Sequence, residues 1–228
     1  MAVIIPCAGK SSRYPSDLPK FLRTLPNGDM LVQTVIEQYC KEEDVHIIIL
    51  KEHDDKFNAA NRIKECFNKS EKIYIHTLSK ITSGPAETVY KIANKLNEPI
   101  LIRDCDSFFD SNLRKDNYVV VADLRDFKEV RNIGAKSFVK LNNQSLIIDI
   151  FEKNIISNYF CCGGYGFSSS RDFCNSFDII NQKNKDEEIF ISHVINNMLH
   201  SDVFDIEFAV NYIDLGTYED YINFCQDQ

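Results

Sequence analysis

Three short apolar runs, each ending in small, polar or acidic residues, limit most strongly how this chain can fold. Val3-Ile4-Ile5-Pro6 stops at Cys7-Ala8-Gly9, Val45 to Leu50 stops at Lys51, and Pro99 to Ile102 runs into Arg103-Asp104-Cys105-Asp106. Runs this short that lack polar alternation are strands covered on both faces, as in parallel sheets. Helical stretches separate them. Asp29 to Cys40 carries Leu31, Val35, Ile36 and Tyr39 on one face, and a polar helix spans Asp54 to Phe67 ahead of a strand at Lys72 to His76. Another helix opens at Pro85, where the missing N–H costs nothing, and reaches Leu96. This β–α–β–α alternation predicts an α/β fold with a doubly wound, mainly parallel sheet.

After residue 116 the pattern changes. Tyr118 to Ala122, Ser137 to Leu141, Ser145 to Ile150 and Tyr159 to Phe167 read as strands joined by short turns, an antiparallel extension laid over the first half. Helices follow at Ser170 to Asn181 and Glu187 to Leu199, then strands at Val203 to Phe208 and Asn211 to Ile213, then a helix from Tyr218. A length of 228 residues suits one domain, 1–228, with halves 1–116 and 117–228.

A formal charge of −8 argues against a nucleic-acid partner, which would need clustered Lys and Arg. Anionic small ligands remain compatible, because backbone N–H groups, one or two cations and a metal can hold them whatever the net charge. The N-terminus lacks a basic segment and a signal-like apolar core, and no apolar run approaches the roughly 18 residues a membrane span needs. These features predict a cytoplasmic protein without a membrane partner, and they are compatible with a homo-oligomer. None of the eight cysteines forms a C-x-x-C pair, so they read as reduced packing residues, Cys161-Cys162 included.

Open α/β sheets bind ligands beyond the carboxyl ends of their strands. Three segments fall there: Cys7 to Lys20, Arg103 to Phe109, and Asp214 to Thr217. In the first, Ala8, Gly9, Lys10, Ser11 and Ser12 are mostly small, so successive N–H groups can approach phosphate oxygens. Arg13 and Lys20 add a forked and a compact cation, enough to neutralise a triphosphate and a departing pyrophosphate. Gly9-Lys10-Ser11 imitates the end of a P-loop. That motif requires another Gly five positions before Gly9, where Ile4 stands, and no G-x-G-x-x-G is present either.

Asp104-Cys105-Asp106 is a D-x-D whose carboxylates share one side in extended geometry. Oxygen ligands at a phosphate site suit Mg²⁺, which takes one or two carboxylates and completes its shell with water and phosphate. Asp214, before Leu215-Gly216-Thr217, can face the same cleft, giving Asp106 and Asp214 as a candidate Mg²⁺ pair. Ser83, Gly84, Pro85 and Thr88 offer a close backbone approach at a helix N-terminus, suited to a base. Glu152-Lys153 is, by composition, a charged strand end.

Gly9-Lys10-Ser11-Ser12-Arg13 followed by Pro19-Lys20 resembles the G-x-G-x-R…P-K signature of the nucleotidylyltransferases, or pyrophosphorylases, that make NDP-sugars and related CDP compounds. The Arg13 to Lys20 spacing is closer to that of the methylerythritol-phosphate cytidylyltransferases, and Ser11 stands where the family has its second Gly. Leu101 to Ser107 resembles the segment whose last Asp binds Mg²⁺, and Tyr212-Ile213-Asp214-Leu215-Gly216-Thr217 the [WY]-x-D-x-G-T segment with the second ligand. Ser83 to Thr88 is similar to the G-x-A-E-T element that meets base and ribose. Glu152-Lys153 is similar to the E-K pair that holds acceptor hydroxyls and phosphate. Gly163 to Phe167, with Gly164, and Glu188 to Ser192 resemble acceptor-pocket and support elements.

The resemblance implies a Rossmann-like, GT-A-type sheet with a nucleotide-binding half (1–116) and an acceptor-binding half (117–228). It implies transfer of NMP from CTP, UTP or dTTP to a sugar phosphate or another small phosphorylated acceptor, with release of pyrophosphate. Arg13 and Lys20 become the catalytic cations, Asp106 and Asp214 the Mg²⁺ ligands, and Asp104 a secondary nucleotide contact. Two other readings use parts of the same set: a glycosyltransferase with its metal on the D-x-D, and a nucleotide-sensing subunit without turnover.

Overall fold

A computed structural model describes residues 1–68, 70–127, 132–183 and 187–227 of the chain. In chain order, β1 (Ala2–Pro6) leads through the loop at 7–19 to α1 (Leu31–Glu37), β2 (Asp44–Leu50), α2 (Lys51–Phe57), α3 (Ala59–Cys66) and β3 (Ile73–Leu78). Then come α4 (Pro85–Ala93), β4 (Ile100–Arg103), β5 (Ser107–Asp110), β6 (Tyr118–Asp123), β7 (Phe138–Leu141), β8 (Ile147–Phe151) and β9 (Tyr159–Phe167). The chain ends with α5 (Ser170–Lys183), α6 (Ile191–Met198), β10 (Asp205–Phe208), β11 (Val210–Asp214) and α7 (Tyr218–Gln226).

β1 lies inside the sheet and pairs in parallel with β2 through Val3↔Val45 and with β4 through Val3↔Leu101. Alternate residues of β1 serve opposite layers, which is why the run is apolar throughout. Val3 and Ile5 join Val35, Ile36, Ala59 and Ile63 from α1 and α3, whereas Ala2 and Ile4 join Val89 and Ile92 of α4 and Val194 of α6. Each buried Val or Ile among them contributes roughly 1.5–3 kcal/mol of transfer free energy.

The strand order β10-β6-β9-β4-β1-β2-β3 reverses direction between β1 and β4. At such a switch point the loops leaving neighbouring strands diverge and open a crevice. The antiparallel extension continues this sheet edgewise instead of lying over it: β9 runs antiparallel to both β4 and β6, and β7 and β8 branch from β9.

Other departures from the sequence expectation are local. The polar helix at 54–67 is two helices, broken at Asn58, whose φ of 52° is left-handed. Asn tolerates that region, and the Asp54 carboxylate accepts the Ala60 N–H at 2.9 Å, restarting the helix beyond the break. α1 is confined to Leu31–Glu37, and α6 begins at Ile191 instead of Glu187. β5, absent from the sequence reading, forms a two-stranded antiparallel ribbon with β11. No helix among the described residues is long and apolar enough to cross a membrane.

Candidate active site

A cavity of about 550 Å³ opens over the carboxyl ends of β1 and β4. Its walls include Ala8, Gly9, Lys10, Ser11, Ser12, Arg13 and Lys20 from the first loop, and Ser83, Gly84, Pro85 and Thr88 from the start of α4. Asp104, Asp106, Glu152 and Asp214 complete the expected set that reaches it.

The ribbon of β5 and β11 brings the two distant acidic segments together. Ser107 pairs with Asp214 and Phe108 with Ile213, while the Leu215 N–H donates to the Asp106 carbonyl at 2.8 Å. The Tyr14 hydroxyl donates to the Leu215 carbonyl, tying the first loop to the same junction. Gly216 measures the convergence: a methyl group there would sit 3.0 Å from Asp214 Oδ1, 3.3 Å from Asp106 Oδ2 and 3.5 Å from Arg13 Nη1. Three side chains more than 90 positions apart in sequence thus surround one glycine.

Each carboxylate of this pair carries a lysine. Lys20 Nζ donates to Asp106, and Lys136 Nζ lies 2.5 Å from Asp214 Oδ2. Burial pushes the Asp106 carboxyl upward, but the charge and hydrogen bond of Lys20, with Arg13 and Lys136 behind them, hold it below the ordinary range. Asp104 goes the other way: burial first, then repulsion from Asp106, raises it to about 6. Two neighbouring carboxyls are thereby driven apart, with Asp106 the stronger anion.

The loop's backbone is specific. Ser11 adopts a left-handed φ of 51°, and its hydroxyl accepts the Lys20 N–H at 3.0 Å, fastening the two ends of the loop. Gly9, which lines the cavity, has no protein atom beyond its chain neighbours within 4 Å of the position a Cβ would take. Gly84 differs. A Cβ there would lie 2.6 Å from the Ile189 carbonyl oxygen, so the residue is small because the 187–190 segment packs against it. The Ser83 N–H and hydroxyl both donate to Glu87, at 2.7 and 2.9 Å, closing the start of α4.

At the other end, Glu152 accepts from the Ser192 hydroxyl at 2.7 Å and from the Ser137 hydroxyl. Two residues expected at the acceptor side lie elsewhere. Lys153 is exposed and does not line the cavity; its Nζ rests 4.2 Å from the Phe190 ring centroid. Gly164 lies beneath the site, where a Cβ would meet Val120 Cγ2 at 2.7 Å and Phe109 Cζ at 2.8 Å. Its neighbour Gly163 does line the cavity; a Cβ there would collide with Asp104 Oδ2 at 2.5 Å.

Sequence reasoning missed Lys136 and Ser137, which carry no local motif, placed Ser192 only within a support element, and undervalued Arg103. That arginine is fully buried under the D-x-D. It donates to the Tyr39 hydroxyl at 2.9 Å, the Ser107 carbonyl at 3.2 Å and the Gly163 carbonyl at 3.3 Å, and its guanidinium lies 3.6 Å from the Phe109 ring centroid. An arginine closing a strand of Ile and Leu was itself the available signal in the sequence. All eight cysteines are free, and Cys161 and Cys162 face opposite hydrophobic layers.

The donor set tests the fit of a metal. Among the described residues, no three His, Cys, Asp or Glu form a preassembled metal cage. Two convergent carboxylates beside a phosphate-sized loop instead suit Mg²⁺, which draws its remaining ligands from phosphate and water.

No protein-family model matches the chain, and no curated protein does. Solved structures do. The chain is similar to a nucleoside-diphosphate-sugar pyrophosphorylase from Vibrio cholerae RC9, with a TM-score of 0.81 and 21% identity over 98% of this chain and 99% of that one. It is also similar to the inositol-1-phosphate CTP transferase of T. maritima, at TM-score 0.76 and 16% identity over 98% and 94% of the two chains. A CTP:phosphocholine cytidylyltransferase from Streptococcus pneumoniae gives a TM-score of 0.77 and 14% identity over 99% and 97%. The chain shares the fold of these nucleotidylyltransferases.

Proposed function

We propose that this chain is a metal-dependent nucleotidylyltransferase that moves NMP from a nucleoside triphosphate to a small phosphorylated acceptor and releases pyrophosphate. The observation that carries this reading is the convergence of Arg13, Asp106 and Asp214 on Gly216, with Lys20 on Asp106, at the mouth of a phosphate-sized loop. The first half supplies the nucleotide side and the second half the acceptor side. CTP, UTP and dTTP are the candidate donors, and sugar phosphates the first acceptors to try.

In the reaction an acceptor phosphate oxygen forms a bond to the α-phosphorus while the α–β bridging bond breaks and pyrophosphate leaves. A phosphate monoester is already nucleophilic at neutral pH, so positioning and charge neutralisation carry the catalysis. The N–H groups of residues 8–12 face the triphosphate. Arg13 takes the charge developing on the departing pyrophosphate, and Lys20 spans donor and acceptor phosphates. Mg²⁺ held by Asp106 and Asp214 would neutralise the α-phosphate. Thr88 and the 83–85 backbone border the base, Asp104 would contact the nucleotide, and Glu152 accepts hydrogen bonds from the acceptor.

The test is pyrophosphate release with each NTP, Mg²⁺ and a panel of phosphorylated metabolites. Asp106→Asn is expected to retain the fold and lose at least about 100-fold in kcat/KM, the scale of one removed electrostatic stabiliser. Glycosyl transfer from a nucleotide-sugar without pyrophosphate release, or full activity in Asp106→Asn, refutes the reading.

A further inference from the structure

We propose that Lys136 is a resident counter-ion for Asp214 that gives up this carboxylate to a divalent cation and then receives the acceptor's phosphate, a part the Glu152-Lys153 pair would otherwise assign to Lys153. The inference rests on the transferase reading for its second half only.

Lys136 lies just ahead of β7, its side chain is only 17% exposed, and it lines the cavity. Its ammonium is shared between Asp214 Oδ2 at 2.5 Å and the Tyr212 hydroxyl at 2.9 Å, both on β11. The arrangement repeats that of Lys20 on Asp106, so each candidate metal ligand is neutralised by one flexible ammonium. A divalent cation shared by these carboxylates would place like charges within a few ångströms of both lysines, and an ammonium on a four-carbon stem can withdraw from it. Phosphate oxygens brought in with the substrates are the acceptors nearest in kind to the carboxylate it leaves.

Lys153 is poorly placed for that work. Its N–H donates to the Lys136 carbonyl at 3.1 Å, so the two lysines are backbone neighbours. Yet Lys153 has a left-handed φ of 54°, rests its ammonium on the Phe190 ring and does not line the cavity, whereas Lys136 does. Ser137, next to Lys136, donates to Glu152. Lys136 and Glu152 therefore form one cationic and one acidic pole at the acceptor end of the cavity, suited to a phosphate and a hydroxyl or ammonium donor on one small molecule.

The experiment titrates the full-length protein with Mn²⁺ alone, then with inorganic phosphate at saturating Mn²⁺. Lys136→Met is expected to bind Mn²⁺ about tenfold more tightly than wild type, because no ammonium competes for Asp214, while Lys136→Arg stays near wild type. With Mn²⁺ bound, Lys136→Met is expected to lose about tenfold or more in phosphate affinity, and Lys153→Met less than about threefold. Unchanged or weaker Mn²⁺ binding in Lys136→Met, an arginine variant that behaves like the methionine one, or a larger phosphate loss in Lys153→Met overturns the proposal. Neither titration needs turnover. If both succeed and no pyrophosphate is ever released, the transferase reading fails while the cation exchange at Asp214 stands.

Discussion

Ser11 holds a conformation that glycine adopts without penalty, and replacing it separates two opposing terms. A side chain at φ 51° costs roughly 1–2 kcal/mol relative to glycine, whereas the Ser11 hydroxyl returns about 1 kcal/mol through its 3.0 Å bond from the Lys20 N–H. Ser11→Gly removes both terms and adds the entropy of a freer unfolded chain, roughly 0.5–1 kcal/mol, so its stability should stay within about 1 kcal/mol of wild type. Ser11→Ala keeps the strained backbone and loses the hydrogen bond, leaving a half-buried N–H without its partner, for a loss of about 1–2 kcal/mol. Alanine should therefore unfold about 2–4 °C below glycine, the shift that 1 kcal/mol produces in a chain of this size. Differential scanning calorimetry on the two variants measures the gap. Both variants lose the tie to Lys20 and should bind nucleotide more weakly to a similar degree. An alanine variant as stable as the glycine one would refute the conformation assigned to this loop.

Gly216→Ala should spread Asp106 and Asp214, since a methyl 3.0 and 3.3 Å from the Asp214 and Asp106 carboxylate oxygens forces each to give way. About a tenfold loss of Mn²⁺ affinity with a cooperative unfolding transition is the expected outcome, and wild-type affinity would show that the carboxylates do not converge there. His46 Nδ1 and His76 Nε2 lie 3.0 Å apart on β2 and β3, and burial, followed by the neighbouring His46 and Lys95, lowers His76 to about 4. A histidine depressed in the folded state gives stability that is complete above about 6.5 and is lost as pH falls towards about 4, because only the unfolded chain takes the proton. Discounted for a half-exposed ring, the loss is roughly 1–2 kcal/mol. Urea midpoints for wild type and His76→Gln between those pH values should converge in the variant, and parallel acid limbs would count against the pair.

What the sequence could disclose follows from how local each cause is. β1 was legible because a central parallel strand must be apolar on both faces, and four residues from Val3 suffice to say so. The first loop's place in the cavity wall was legible because consecutive small residues and two cations follow directly on a buried strand. β5 was not. Ser107-Phe108-Phe109-Asp110 becomes a strand only by pairing with Val210–Asp214, a partner about a hundred positions away that no local period announces. Lys136 and Ser137 escaped for the same reason, each defined by a contact with a carboxylate on another element. The break at Asn58 escaped because helical periodicity continues through it and a single left-handed residue leaves no mark on an apolar pattern.

The glycines at the site show what small residues in such a cavity mean. At Gly84, Gly163 and Gly216 the place of a Cβ is already claimed by the Ile189 carbonyl, the Asp104 side chain and the Asp214 and Asp106 carboxylates. These three are small so that protein can approach protein, and they fix the walls of the cavity. At Gly9 nothing in the described structure lies within 4 Å. Protein packing therefore does not account for its smallness, and the open space there is where the proposed triphosphate has room to approach. The same motif letter thus marks a wall at the start of α4 and open space in the first loop, and it is the second kind of glycine that the proposed phosphate contact requires.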